Sequence, residues 1–324
     1  MAASTPVAID FVICTYNRAA GLDRVLSALS AQRVAAGVTW SVLVVDNGST
    51  DSTADVVEAH RSRALLPGLR RITESVQGLT PARQRGVRET CAPWIAFVDD
   101  DNLLEPGWLD AIVQTIRMRP EAGGIGGRVI LDWEKPPPNF LKGFGYCFAE
   151  QVLGVVACEV GNLVGAGMVV RRGALAECGW LERPLLADRL GKRLISGGDV
   201  EIAQRIRGAG HPLWFAPDAV LRHRIPTTRT SWQYLLRVNH GLGSSEALVS
   251  ALGWPDDYRS WLHAAQRRAV EHFARAFRRR TGLVATLARL SYAIGFVRGV
   301  RAYMTLSSAD RRALLGAGAI RSCI

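Results

Sequence analysis

Over the first hundred residues, short apolar runs rich in β-branched side chains alternate with stretches of helical period. That alternation leaves the chain few folds to choose from. "VAIDFVIC" (Val7–Cys14) and "TWSVLVVD" (Thr39–Asp46) have the composition of buried strands. "RRITES" (Arg70–Ser75) is a third strand and "WIAFVD" (Trp94–Asp99) a fourth. Between them, Gly21–Arg33 sets Leu22, Val25, Leu26 and Leu29 on one helical face. "STADVVEAHRSR" predicts a second helix, capped by Ser49 or Asp51, and "PARQRGVRETC" a third that opens on Pro81. Strand–helix alternation of this kind implies right-handed crossovers and an α/β fold, a mostly parallel sheet covered by helices on both faces. With 324 residues, 48% of them hydrophobic, the chain can build a full-sized core, and it is not of disordered composition.

In open sheets of this class, ligands bind beyond the carboxyl ends of the strands. Three strands end there in polar residues: the first in Thr15-Tyr16-Asn17-Arg18, the second in Asp46-Asn47, the fourth in Asp99-Asp100-Asp101. Packed carboxylates repel one another and resist burial, so three acids at one strand end call for a metal ion, an arginine cluster or open solvent. The chain has no GxxxxGK[ST], and no GxGxxG follows the first strand. A bound diphosphate would therefore not be cradled mainly by backbone amides, and a divalent cation held by the aspartates can take that role.

Six cysteines (Cys14, Cys91, Cys147, Cys158, Cys178, Cys323) show no metal-binding spacing and are expected to be reduced thiols of a cytosolic protein. No positive charge precedes the first apolar run, which is expected to be a strand and not a signal peptide. The net charge of +11 is uneven. Asp256–Ile324 holds 13 arginines against 4 acids, a surplus of nine, and leaves +2 for the preceding 255 residues. Such a tail suits an anionic surface or a solvated helical face. Few aromatic residues interleave with its arginines, so no nucleic-acid partner is expected.

"VICTYNR", "LVVDNGSTD", "GLTPARQRG", "FVDDDN" and "GGDVEIAQRIRGAGHPLWFAPDAVLRHR" stand in the order found in family 2 glycosyltransferases of GT-A fold. The stretch Val7 to Arg229 resembles that family. The resemblance implies an inverting, metal-dependent transfer of a sugar from a nucleotide-diphospho-sugar, a UDP- or GDP-sugar before others, to a glycan or lipid-linked acceptor. Glycan, polysaccharide or glycolipid synthesis is the implied setting. Asp46 would contact the base, with Thr15, Tyr16 and Arg18 lining the nucleoside pocket and Arg83 near the nucleotide. Asp99 and Asp101 form the DxD pair, with Asp100 between them. Asp101, Asp99 and His223 would hold Mn²⁺ or Mg²⁺. Asp199 would be the catalytic base, in a Gly198-Asp199 pair where the family has Glu-Asp; Gln84 replaces the usual asparagine.

Read from residue chemistry alone, several of these positions have a second explanation. Asp199 also suits a helix N-cap, and Glu201 a dipole or acceptor-binding role in the same first turn. His223 suits a structural histidine or a ligand, and Arg229 a diphosphate clamp or a surface charge. "DWEKPPPNFLKGFGYCF" (Asp132–Phe148) is expected to be a loop near the acceptor, and the small residues of "GNLVGAGMVVRR" (Gly161–Arg172) to let substrate approach the backbone. Trp133, Trp180 and Trp214 suit sugar stacking or packing.

The expected division is a nucleotide-sugar half (1–125), an acceptor and base half (126–230) and a basic helical extension (231–324). In the apolar stretch Thr281–Met304, Arg289 interrupts the run and Arg298 points the opposite way. Peripheral attachment of the basic tail, Asp256–Ile324, to the inner face of a membrane is expected in preference to a spanning helix.

Overall fold

The computed structural model describes residues 5–186, 197–254, 257–278, 282–309 and 311. Cys323 and the tail residues Arg279, Arg280, Arg312 and Arg321 lie outside the described residues. The leading strands are β1 (Val7–Thr15), β2 (Val38–Asp46), β3 (Arg70–Thr73) and β4 (Trp94–Asp99). Helices α1 (Ala19–Ser30), α2 (Thr53–Ser62) and α3 (Leu79–Arg88) separate them, as the alternation predicts. β1 lies between β2 and β4, and β3 flanks β2, all parallel. Side chains of β1 alternate between two cores. Ile9, Phe11 and Ile13 face the cluster that holds α1 and α4 (Trp108–Met118), and Val12 faces the cluster built with α3. Both faces of the sheet are therefore buried around β1, β4 and the carboxyl half of β2, which is why those stretches are mostly apolar, whereas β3 at the sheet edge is polar and largely exposed.

Element boundaries differ from expectation where side chains compete with the backbone. Helix α3 begins two residues before Pro81, a position in the first turn where the missing N–H costs no hydrogen bond. Asp51, not Ser49, serves the start of α2: its Oδ1 accepts from the Thr53 N–H at 3.1 Å. Ser49 Oγ accepts from the Asn17 N–H instead.

The second half adds β5 (Asn102–Leu104), β6 (Gly124–Trp133), β7 (Cys158–Val160), β8 (Met168–Arg171) and β9 (Leu213–Ile225). The sheet runs β3-β2-β1-β4-β8-β6-β9-β5, with β7 on β9. β8 is antiparallel to β4, so its first residue, Met168, pairs with Phe97 near the carboxyl end of β4. Helices α5 (Arg172–Glu177) and α6 (Gly198–Gly208) cover this half. None of the three tryptophans stands free. Trp180 is in the core, Trp214 lies under the Arg119 guanidinium at 4.0 Å, and Trp133 meets Phe148 edge-on at 5.0 Å.

The extension forms α7 (Trp232–Ser250), α8 (Tyr258–Arg278) and α9 (Leu283–Met304). Ser231 caps α7 by accepting from the Tyr234 N–H at 3.2 Å. α9 is long and apolar enough to cross a bilayer by length and composition alone, but it buries Ala285, Ala288, Ala293, Phe296, Val300 and Tyr303 inside the protein. Glycines let α7 and α9 approach closely. A Cβ on Gly243 would fall 2.1 Å from the Tyr292 carbonyl oxygen, and one on Gly295 2.1 Å from that of His240. Backbone cannot yield as a side chain does, so Gly243→Ala and Gly295→Ala should each cost about 1–3 kcal/mol. Guanidinium unfolding of each variant measures this, and an unchanged midpoint would mean that the helices separate freely.

Candidate functional site

Strand register aligns the polar ends. Thr15 lies beside Asp46 across the β1–β2 pair, and Cys14 beside Asp99 across β1–β4. The acids after β4 meet three different environments. Asp99 Oδ1 pairs with the buried Arg83 at 3.2 Å, whose guanidinium also lies 5.6 Å from the centre of the Phe97 ring. Asp100 accepts from the Thr15 hydroxyl at 2.8 Å and lies 3.4 Å from Arg18 Nε. Burial, with the charge of Asp101 beside it, pushes the Asp100 carboxyl up to about 7. Asp101 Oδ2 is shared by Arg18 at 3.3 Å and Arg229 at 3.0 Å. Of the three ways to hold this charge, an arginine cluster is built into the protein itself.

β9 brings His223 opposite Asn102, one residue from Asp101. His223 Nε2 lies 3.4 Å from Asp101 Oδ1. Its Nδ1 is 2.6 Å from the Phe148 carbonyl oxygen, which only accepts, so that nitrogen carries a hydrogen. A histidine held by its other nitrogen against a carbonyl, with a carboxylate at its free nitrogen, has the arrangement of a metal ligand and its supporting bond. These two could contribute to a cation site, but Asp99, the third expected ligand, is turned to Arg83, and among the described residues no group of three His, Cys, Asp or Glu side chains is placed to hold a metal ion.

The turn between β2 and α2 closes over the same edge. Asp46 Oδ1 accepts from the Ser49 N–H at 2.8 Å and Oδ2 pairs with Arg71 at 2.9 Å, so its carboxylate is tied into the turn and to β3. Asn47, beside it, joins three segments: it donates to the Glu74 and Val76 carbonyls and accepts from the Gly78 N–H. Asn17, at φ 52°, accepts from the Thr50 N–H at 2.7 Å. Tyr16 is half exposed at this rim. The sequence signals for Asn17 and Asn47 were their places at strand ends beside the turn "NGSTD".

Asp199 is the second residue of α6, and its Oδ2 accepts from the Gly165 N–H at 2.6 Å. Gly165 precedes β8, whose start lies beside the end of β4, which brings Asp199 to the acidic edge of the sheet. The small residue at 165 serves this contact: a Cβ there would stand 2.8 Å from the Asp199 Cβ. Asp199 does not cap its helix; among the described residues no α6 N–H is bonded to its side chain. Glu201 neither caps nor faces an acceptor. It is fully buried, pairs with Arg205 at 2.7 Å and accepts from the Leu185 and Leu186 N–H groups at 2.7 and 2.8 Å.

Asp199 also lines a cleft of about 650 Å³. Tyr146 of the loop after β6 stands in its wall, as do residues of α7, α8 and α9. The expected acceptor loop thus folds as two short 3₁₀ turns, Asn139–Leu141 and Gly145–Phe148, beside that cleft.

The family model described as Glycosyl transferase family 2 matches residues 10–179. Two curated proteins of Haloferax volcanii are similar. A glucosyl-dolichyl phosphate glucuronosyltransferase is 24% identical over 187 residues, 54% of this chain and 57% of that protein. The glycosyltransferase AglE is 28% identical over 224 residues, 68% of each chain. The chain thus spans little more than half the length of the first relative and about two thirds of the second. A solved mannosyltransferase from Pyrobaculum calidifontis, in complex with GDP-Man and Mn²⁺, has a TM-score of 0.56 at 18% identity, covering 97% of this chain and 86% of that one. That likeness is one of fold, and the fold is GT-A.

Removing the Glu201 charge takes away the carboxylate that balances the buried Arg205 guanidinium, whose Nη2 keeps a neutral acceptor, the Arg183 carbonyl. Glu201→Gln should therefore cost about 3–5 kcal/mol. Urea unfolding measures it, and a loss below about 1 kcal/mol would mean that water replaces the pair.

Proposed function

Because the chain belongs to glycosyl transferase family 2, we propose that it carries out an inverting transfer from a nucleotide-diphospho-sugar, with UDP or GDP as the nucleotide, to an acceptor hydroxyl in glycan or glycolipid synthesis. The observation that carries this reading is the convergence of Arg18, Arg229 and His223 on Asp101 at the carboxyl edge of the sheet. The Arg18 and Arg229 guanidiniums held at that edge suit a leaving group whose negative charge grows in the transition state.

Asp199 takes the proton of the acceptor hydroxyl as that oxygen bonds to the anomeric carbon and the bond to the nucleoside diphosphate breaks. The Gly165 N–H fixes one carboxylate oxygen and aims the other. Arg18, Arg83 and Arg229 face the departing diphosphate, and Arg229 exchanges Asp101 for a phosphate oxygen. A divalent cation, held by Asp101 and His223 with Asp99 beside them, would supply Lewis-acid neutralisation of the leaving group. Thr15, Tyr16, Asp46 and Asp100 border the nucleoside.

Asp199→Asn keeps the shape and removes the basicity, so turnover should fall by ~10²–10⁴ with nucleotide binding retained. Assay of sugar release from UDP- and GDP-sugars checks this; near-normal turnover would remove Asp199 from the chemistry. Calorimetry of UDP and GDP with Mn²⁺ should give tighter binding than in EDTA, and Asp101→Asn should abolish the difference. Equal affinity in EDTA would exclude a metal-bound diphosphate.

We also propose peripheral contact with an anionic bilayer through α8. Arg259, His263, Gln266, Val270, Phe273 and Phe277 recur at alternating four- and three-residue steps and so share one face. Val270 is 70% and Phe277 68% exposed, and Arg267 and Arg275 flank them. Arginines beside an anionic leaflet contribute on the order of 1 kcal/mol each. The full chain should sediment with phosphatidylglycerol vesicles at low salt, and a variant with Val270, Phe273 and Phe277 changed to serine should stay in solution. Wild-type protein left in the supernatant would refute the contact.

A further inference from the structure

The cleft beside Asp199 is shared between the catalytic body and the extension. The body supplies Tyr146, Asn162, Val164, Asp199 and Gln204; α7 supplies Leu242, Ser245, Glu246 and Val249, α8 Arg268 and α9 Tyr292. Its walls are mostly apolar, yet polar groups are set within them. Glu246 lies 3.2 Å from His272 Nε2 and 3.5 Å from Arg268 Nη1, and it accepts from the Tyr292 hydroxyl. Burial pushes its carboxyl up, but the His272 ring, the Tyr292 hydroxyl and the Arg268 charge outweigh that and hold it below the usual glutamate range. Ser245 is 3% exposed, and its Oγ has no hydrogen-bond partner among the described residues. That oxygen is closed off beneath the surface near Gly197, so the residue contributes packing to the cleft wall and Glu246 is the polar group open to a ligand.

Carboxylates that accept from hydroxyls, set among apolar and tyrosine surfaces, match a sugar ring, which presents hydroxyls at its edge and C–H groups on its face. Val200, Leu242 and Val249 line the same cleft, and apolar lining of that kind would be idle against a free sugar. A second cleft, of about 390 Å³, shares Ser250 and Arg268 with the first and reaches Trp254 and Trp261. We propose that the extension completes the acceptor site, and that this site takes a sugar joined to an apolar group: the sugar is held by Glu246 near Asp199, and the apolar group lies along α7. The proposal rests on the glycosyltransferase reading of Asp199.

n-Octyl β-D-glucopyranoside and methyl β-D-glucopyranoside serve as probes, with octyl tri(ethylene glycol) ether as the chain without the sugar, each below its critical micelle concentration. Titration followed by protein NMR or calorimetry should show octyl glucoside binding at least tenfold more tightly than either control. Leu242→Trp, which fills the cleft from a half-buried position, should abolish that preference, and Glu246→Gln, which preserves shape, should weaken octyl glucoside about tenfold. Thermal unfolding and UDP or GDP binding of each variant report whether fold and donor site survive. Equal binding of octyl and methyl glucoside, equal binding of the octyl ether, or unaltered binding in both folded variants would overturn the proposal. Failure of the wild-type chain to bind either nucleotide, with octyl glucoside preference intact, would instead sink the donor reading and leave the cleft assigned.

Discussion

Three carboxylates at the end of a strand buried on both faces cannot be tolerated without nearby positive charge, and the rest of the site follows from how that charge is supplied. Arg83 serves Asp99, Arg229 and His223 meet Asp101, and Arg18 is shared between Asp101 and Asp100, which also accepts from the Thr15 hydroxyl. These partners come from α3, the turn after β1, and β9 with the turn behind it. The neutralisation therefore binds together four separate stretches of chain at one edge. It also gathers Arg18 and Arg229 on one carboxylate at that edge.

A second buried ion pair governs the other half. Glu201 and Arg205 have almost no exposure, and Glu201 also holds the Leu185 and Leu186 amides. It fixes the incoming chain onto α6, one residue-pair away from Asp199. The neighbouring acids of one helical turn thus divide between structure and site. Glu201 is spent on backbone and arginine, whereas Asp199 has a single backbone N–H among the described residues and borders open space.

The extension is part of the same body. Glycines on α7 and α9 allow their backbones to approach closely, and the buried face of α9 is turned toward the protein. This accounts for an apolar stretch that carries Arg289 and Arg298 on opposite sides. Arg289 lies 5.6 Å from the centre of the Phe144 ring and Arg298 is exposed. A helix of this composition is apolar because one side packs against a neighbour and the other is sparsely charged. Its composition alone does not distinguish that from a helix meant for lipid.

The sequence by itself determined the leading half of the fold. Apolar β-branched runs and helical periodicity are local signals, and with right-handed crossovers they leave one arrangement in which Thr15, Asp46 and Asp99 share an edge. Motif order also carried Asp199 and His223 to that edge. What the tertiary structure alone decided was how each polar group is spent. Glu201 and Asp199 are both acids in a first helical turn, and only tertiary approach separates them: Leu185, Leu186 and Arg205 occupy Glu201, whereas the Gly165 N–H holds one oxygen of Asp199 at the cleft. Trp180 and Trp214 could have faced sugar or core until packing turned them inward or beneath Arg119. Asp51 took the cap that Ser49 also suited, because Ser49 was drawn to Asn17. The shared cleft was not legible at all: Glu246 sits in an unremarked helix, and it comes to line one cleft with Asp199 only through the packing of segments distant in sequence. Hydrogen bonds and burial between such segments depend on their relative placement, which no local pattern of residues encodes.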